Sequence, residues 1–106
     1  MDKDAVLKII EAFRLALEAR NVWASKLVLF GSYAEGTFKD GSDIDLIVVS
    51  EDFSGKGYWE RIDLLAEAVY EVFQPIEAVA MTPQEWDSKE TLIAEYATDG
   101  EVVYAA

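Results

Sequence analysis

Phe30-Gly31-Ser32, ten further residues, then Asp43-Ile44-Asp45 is the stretch that decides the fold. Leu27-Val28-Leu29-Phe30 is a short apolar run ended by Gly31, which reads as a buried strand. Gly31-Ser32-Tyr33-Ala34-Glu35-Gly36 is a glycine-bracketed turn that opens a short helix. Residues 37–42 form a loop punctuated by Gly41-Ser42. Asp43 to Val49 is the second strand, continuously apolar after its first residues, as in a central strand covered on both faces. Side chains alternate along a strand, so Asp43 and Asp45 point to the same side, within roughly 7 Å of each other. Two carboxylates at that distance repel unless a cation neutralises them. Mg²⁺ is suited to the task, because it takes hard oxygen ligands and shares them with phosphate and water. Gly31 permits a tight turn and close approach of a ligand. Ser32 lies in the first helical turn, where a hydroxyl and free N–H groups can hold phosphate.

Outward from this stretch, apolar residues at helical spacing (Val6, Ile9, Ile10, Phe13, Ala16, Leu17) predict an amphipathic helix over 4–20, with Asp2 or Asp4 as its cap. A second amphipathic helix is expected at about 58–73, with Ile62, Leu65, Ala66, Val69 and Phe73 on its inner face. Pro75 stops it, and Ile76–Met81 reads as a third strand. Thr82-Pro83-Gln84-Glu85 is a helix start with an N-cap, a proline in the first position and a capping-box glutamate. A helical stretch at about 88–98 and a last short strand near 102–104 complete the chain. The whole of 1–106 reads as one domain with one small sheet and helices packed on it.

Composition removes whole classes of chemistry. The chain has no cysteine and no histidine. Disulfides, thiolate metal sites, thiol nucleophiles, histidine bases and Ser-His-Asp triads are therefore excluded. The formal charge is −12, from 21 acidic and 9 basic residues, which repels nucleic acid and anionic membranes. No apolar run is long enough to span a bilayer, and the charged start Met1-Asp2-Lys3-Asp4 is unlike a signal peptide. A soluble cytoplasmic protein is expected, with no direct nucleic-acid or membrane contact.

Gly31-Ser32, ten residues and Asp43-x-Asp45 resemble the signature of the DNA polymerase beta-like nucleotidyltransferase superfamily. The fuller run, Phe30 to Gly36 and Ser42 to Leu46, is similar to its minimal nucleotidyltransferase (MNT) branch, whose members are stand-alone domains of about this length. The resemblance extends to helix 4–20 and Thr82-Pro83-Gln84-Glu85. It implies an α+β fold with a small mixed sheet. It also implies a two-metal Mg²⁺ site on Asp43, Asp45 and Glu77, with Glu77 helping to deprotonate the attacking hydroxyl. Gly31, Ser32, Lys39 and Ser42 would contact the nucleotide, with ATP as substrate. Minimal members are often encoded beside a HEPN-domain ribonuclease toxin. The resemblance therefore implies an antitoxin that binds such a partner in a hetero-oligomer and adenylylates it.

Two positions depart from the family pattern. Glu77 stands where Asp is more usual, and Tyr33 where minimal members commonly carry Arg. Tyr33 and Lys39 are left between surface residues and substrate contacts. Trp23, Trp59 and Trp86 read as packing or partner-surface residues. Two alternatives stay open: a catalytically inactive module that masks its HEPN partner, and a small-molecule nucleotidyltransferase.

Overall fold

The computed structural model describes residues 1–106. Helix α1 runs Lys3–Glu18, and the Asp2 side chain caps it by accepting the Ala5 N–H at 2.9 Å. Its inner face is the one expected: Val6, Ile10, Phe13, Ala16 and Leu17 are all buried. Strand β1 (Lys26–Phe30) follows, then the four-residue helix α2 (Ser32–Glu35) and strand β2 (Ile44–Val49). A 3₁₀ turn (Glu51–Phe53) leads to helix α3 (Tyr58–Val72) and strand β3 (Ile76–Met81). Helices α4 (Pro83–Ser88) and α5 (Leu92–Tyr96), a 3₁₀ turn (Ala97–Asp99) and strand β4 (Glu101–Ala105) close the order.

The four strands form one mixed sheet in the order β3-β2-β1-β4. β1 pairs antiparallel with both β2 and β4, and β2 pairs parallel with β3. This is the α+β architecture with a small mixed sheet that the sequence suggests. β2 is internal, and every residue from Leu46 to Val49 is buried, as its continuous apolar run requires.

Alternation along the strands divides the core into two layers. Leu27, Leu29, Ile44, Leu46, Val48 and Ile76 face α1 and α3 in the larger cluster. Val28, Phe30, Ile47, Val49 and Met81 face the opposite way and pack with Trp86, Ala94 and Ala97 from α4, α5 and the turn after them. This second layer is thin. It covers only part of the sheet, and the residues at the other end of that face are left accessible.

Three local expectations are corrected. β2 starts at Ile44, so Asp43 stands just outside the strand. The one helix expected between the Thr82 start and about residue 98 is two, Pro83–Ser88 and Leu92–Tyr96, broken at Lys89, which has a φ of 54°. There the Lys89 ammonium lies 3.4 Å from the centre of the Trp86 ring, and the Thr91 hydroxyl starts a second helix by accepting the Ala94 N–H. In α3, Leu65 and Val69 pack inward as expected, joined by Leu64, Ala68 and Val72, while Ala66 is exposed. Phe73 lies past the helix end with a φ of 56° and is 81% exposed. No helix is long and apolar enough to cross a membrane.

Candidate active site

The site lies where β1 ends and β2 and β3 begin. Gly31 follows Phe30 with φ 72° and ψ −152°, a conformation essentially reserved for glycine. It turns the chain out of the sheet and into α2, which Gly36 ends in the left-handed conformation. Ser32 is the first residue of α2 and is half-buried. The first turn of any helix leaves its N–H groups without intrahelical partners, and here these belong to residues beside Gly31.

β-Sheet register brings the carboxylates together. Asp45 pairs with Phe30 on one side and with Glu77 on the other. Residues in direct register on neighbouring strands project from the same face, with strands about 4.8 Å apart. Glu77, 32 positions later in the chain, thus becomes a neighbour of Asp45. Asp43 stands two residues before Asp45 at the entrance to β2.

Gly31 completes the contact. A Cβ placed there would lie 2.2 Å from the Asp45 Oδ2. The Asp45 carboxylate therefore rests against the bare Cα of Gly31, and no larger residue leaves it that position. The sequence reading assigned this free space to a ligand, whereas the structure places Asp45 in it.

The electrostatics are unbalanced. Burial pushes the Asp45 carboxyl above its ordinary value, and the charges of Glu77 and Asp43 push it further in the same direction. The ion pairs of the protein involve Lys3, Arg14, Arg20 and Arg61, and none reaches Asp43, Asp45 or Glu77. The three side chains as placed do not converge closely enough to hold an ion together. Their donor set is nonetheless the one a divalent cation prefers: carboxylate oxygens with uncompensated negative charge. The register fixes the backbones of Asp45 and Glu77 as neighbours.

The remaining predicted residues differ in their placement. Lys39 and Ser42 lie in the loop between α2 and β2. The Lys39 N–H donates to the Ser42 hydroxyl at 2.9 Å, and the Ser42 N–H donates to the Lys39 carbonyl at 3.0 Å. Ser42 thus shapes the loop, while the Lys39 side chain is exposed and takes part in no ion pair. Tyr33 is not a surface residue. It is 3% exposed, belongs to the larger core and stacks on Phe38 with ring centres 4.7 Å apart. The turn therefore has an aromatic anchor below it. Trp86 is buried, whereas Trp23 and Trp59 are exposed.

Sequence reasoning missed one wall of the site. Tyr96 of α5 stands edge-on to Phe30 with ring centres 6.0 Å apart. With Phe30, Gly31, Ala34, Glu35 and Asp99 it bounds a cleft of about 250 Å³ beside the Gly31 turn. Nothing near residue 96 in the chain signals this, because the contact depends on how α5 folds back over β1.

The family described as nucleotidyltransferase domain matches this chain over residues 10–97. Two solved structures share its fold. One is a candidate nucleotidyltransferase from Sulfolobus solfataricus, 19% identical, with a TM-score of 0.57 over 96% of this chain and 87% of that one. The other is a toxin-antitoxin crystal structure with AMP-PNP, 22% identical, with a TM-score of 0.62 over 91% of this chain and 73% of that one. At these identities the likeness is one of fold. No curated protein sequence matches at a significant level.

Proposed function

This chain belongs to the nucleotidyltransferase domain family, and from that premise we propose that it transfers AMP from ATP to a protein in a Mg²⁺-dependent reaction. We further propose that it acts in the cytoplasm as the antitoxin of a HEPN-domain ribonuclease toxin, which is the acceptor. The observation that carries the catalytic reading is the register of Asp45 with Glu77 beside the bare Cα of Gly31. The fold it shares with a toxin-antitoxin structure holding an adenine nucleotide analogue supports the biological reading.

Asp43, Asp45 and Glu77 would hold the cations, which when bound supply neutralising charge to the phosphates. The residues of the chain do the rest. Gly31 and Ser32 bind the β- and γ-phosphates through backbone N–H groups and the Ser32 hydroxyl. The bare Cα of Gly31 leaves the Asp45 carboxylate its place at the end of the sheet. Lys39 reaches the phosphates from its loop, and Ser42 sets that loop's shape. The acceptor hydroxyl oxygen attacks the α-phosphorus, the bond to the bridging oxygen of the β-phosphate breaks, and pyrophosphate leaves. Glu77 is positioned to take the hydroxyl proton. Positioning and charge stabilisation account for most of the rate in this class of reaction.

A second reading has its own observation. The three acidic side chains do not converge as placed, and Tyr33 fills the core where a phosphate-binding cation was expected. Both features suit a module that retains the fold and masks its partner without catalysis. Incubation with α-labelled ATP, Mg²⁺ and the product of the neighbouring gene separates the two. Label on the partner, absent with Asp43→Asn and Asp45→Asn, is the result expected. A tight complex that forms without label transfer, and that survives both substitutions, replaces the enzyme with the module.

A further inference from the structure

Strand β3 is one edge of the sheet, and the largest cavity of the protein lies beside it. In a parallel pair, the backbone groups of alternate residues point to the neighbouring strand and the rest point away. The Ile44 N–H donates to the Pro75 carbonyl and the Ser50 N–H to the Met81 carbonyl, so the odd-numbered residues of β3 bond to β2. The backbone groups of the even-numbered residues therefore face outward. At the two ends these are closed within the chain. The Gln74 carbonyl accepts the Ile76 N–H at 2.8 Å, and the Glu85 carboxylate accepts the Thr82 N–H at 2.7 Å. Between them the N–H and C=O groups of Ala78 and Ala80 point off the sheet, with no strand beside them.

The two edges of the sheet differ. β4 is bulged where its pairing shifts between Leu27 and Val28, a device that discourages further pairing. β3 pairs with β2 in unbroken register through all 6 of its residues, with no proline and no lysine among them. Ile76, Ala78 and Ala80 face the layer of α1 and α3, while Val79 and Met81 face the other way. By alternation Glu77 lies with Val79 and Met81.

The cavity measures about 420 Å³ and lies between α3 and this edge. Ile62 and Leu65 of α3 give it apolar lining, and Lys56, Arg61 and Glu85 are its charged residues. Arg61 is paired with Glu85 at 2.7 Å. The Lys56 ammonium bonds the Asp52 carbonyl at 2.7 Å and reaches no carboxylate. Lys56 is half-buried, so its charge lacks both a counter-ion and full access to water.

These features specify an occupant. Unpaired N–H and C=O groups at strand spacing are matched by another extended backbone, and not by a helix, whose backbone groups bond one another. A strand added there places every second side chain on the face of Ala78 and Ala80, over the cavity. Apolar side chains suit Ile62 and Leu65, and one carboxylate suits Lys56. The β3 strand of a second copy does not meet these terms. Its side chains on that face are Ile76, Ala78 and Ala80, none of them acidic, and two bodies of charge −12 would be brought together.

We propose that the β3 edge accepts an extended segment of a partner protein as a fifth strand, whose side chains over the cavity are apolar except for one Asp or Glu that pairs with Lys56. The proposal goes beyond the function above and uses neither ATP nor the carboxylates of the candidate active site. The probe is a blocked peptide of threonines alternating with valine, glutamate and valine, which presents the same face in either direction. On binding, the Ala78 and Ala80 amides should become protected from hydrogen exchange, while those of β4 should not. N-methylation of one alternate set of peptide amides should abolish binding and that of the other set should leave it intact, since one set alone faces β3. A peptide with lysine in place of glutamate should bind about tenfold more weakly, and Lys56→Glu should reverse that preference. The reversal itself reports a folded variant. The proposal is overturned if the glutamate peptide does not bind, if both N-methylated sets behave alike, if the lysine peptide binds as well, or if Lys56→Glu leaves the preference as it was. It is also overturned if the Ala78 and Ala80 amides gain protection with protein concentration alone, which identifies a second copy as the occupant. Label transfer from ATP needs none of these contacts, so failure of either result leaves the other standing.

Discussion

Asp45 is partly buried, has negative neighbours just before its own strand and on the next one, and no cation to offset them. Its carboxyl holds a proton more tightly in the folded protein than in the unfolded chain. Such a group favours folding at low pH, and that contribution is lost as pH rises from the ordinary value of 3.8 through the raised folded value. At neutral pH, Asp45→Asn should therefore raise the melting temperature by a few degrees, measured by circular dichroism. Mg²⁺ should raise the melting temperature of the unaltered protein by binding only the folded state, and the same substitution should abolish that rise. A melting temperature that falls with Asp45→Asn would show that the carboxylate is already compensated. Gly31→Ala tests the other side of the contact. The left-handed backbone there costs a non-glycine residue of order 1–3 kcal/mol, and the new Cβ takes the place of the Asp45 Oδ2. A loss of about 2 kcal/mol in urea unfolding is expected, together with loss of the Mg²⁺ effect. Retention of that effect in Gly31→Ala would mean that the cation does not depend on Asp45 staying where it is. The need for a glycine at 31 was legible in the sequence. What fills the space was not, because register between strands decides it.

Elements were legible where their signals are local. Thr82 and Glu85 behave as their spacing predicts. The Thr82 hydroxyl accepts the Glu85 N–H at 3.2 Å, and the Glu85 Oε1 accepts the Thr82 N–H at 2.7 Å. Thr82→Ala should cost about 1 kcal/mol, the usual worth of such a cap, read as a lowered urea midpoint with unchanged slope. The Glu85 side chain also bonds Arg61 at 2.7 Å, so Glu85→Ala should cost at least as much as Thr82→Ala. If Thr82→Ala is neutral, α4 is held by the burial of Trp86 alone. Strand β3 was legible from end to end, since Pro75 and the Thr-Pro start of α4 punctuate it on both sides. The break at Lys89 was not, because the ring that holds its ammonium belongs to Trp86 and the local sequence still looks helical. The inner face of α3 was read rightly at Leu65 and Val69 and wrongly at Ala66 and Phe73 for a different reason. Both stripes of that helix are apolar, and periodicity alone cannot tell which one meets the core.

At the scale of the whole molecule, −12 charges sit on a body with a Cα radius of gyration of 12.8 Å. At about 0.01 M salt the screening length, about 30 Å, exceeds that radius and every charge feels the others; at about 0.15 M it is about 8 Å and distant pairs are uncoupled. Raising NaCl across that range should raise the melting temperature by several degrees, in a scanning calorimeter, with divalent ions excluded by chelator. A flat response would indicate that the acidic residues are spaced widely enough not to oppose folding. The charge itself was legible in the composition. The cavity of about 420 Å³ beside α3 was not, because its walls draw on residues from 56 to 85 that only the packing of α3 beside β3 assembles.

The parallel pairing of β2 with β3 has a temporal meaning as well. Asp45 and Glu77 meet only after residues 50–75 have crossed from one strand to the other through α3. A chain still emerging from the ribosome shows Gly31, Asp43 and Asp45 long before Glu77 exists, and at that stage it has no complete pocket to offer a cation or a nucleotide. On the proposed function, ligand capture would report that the crossover is finished, so C-terminal truncations ending before residue 76 should show no Mg²⁺-dependent protection from proteolysis.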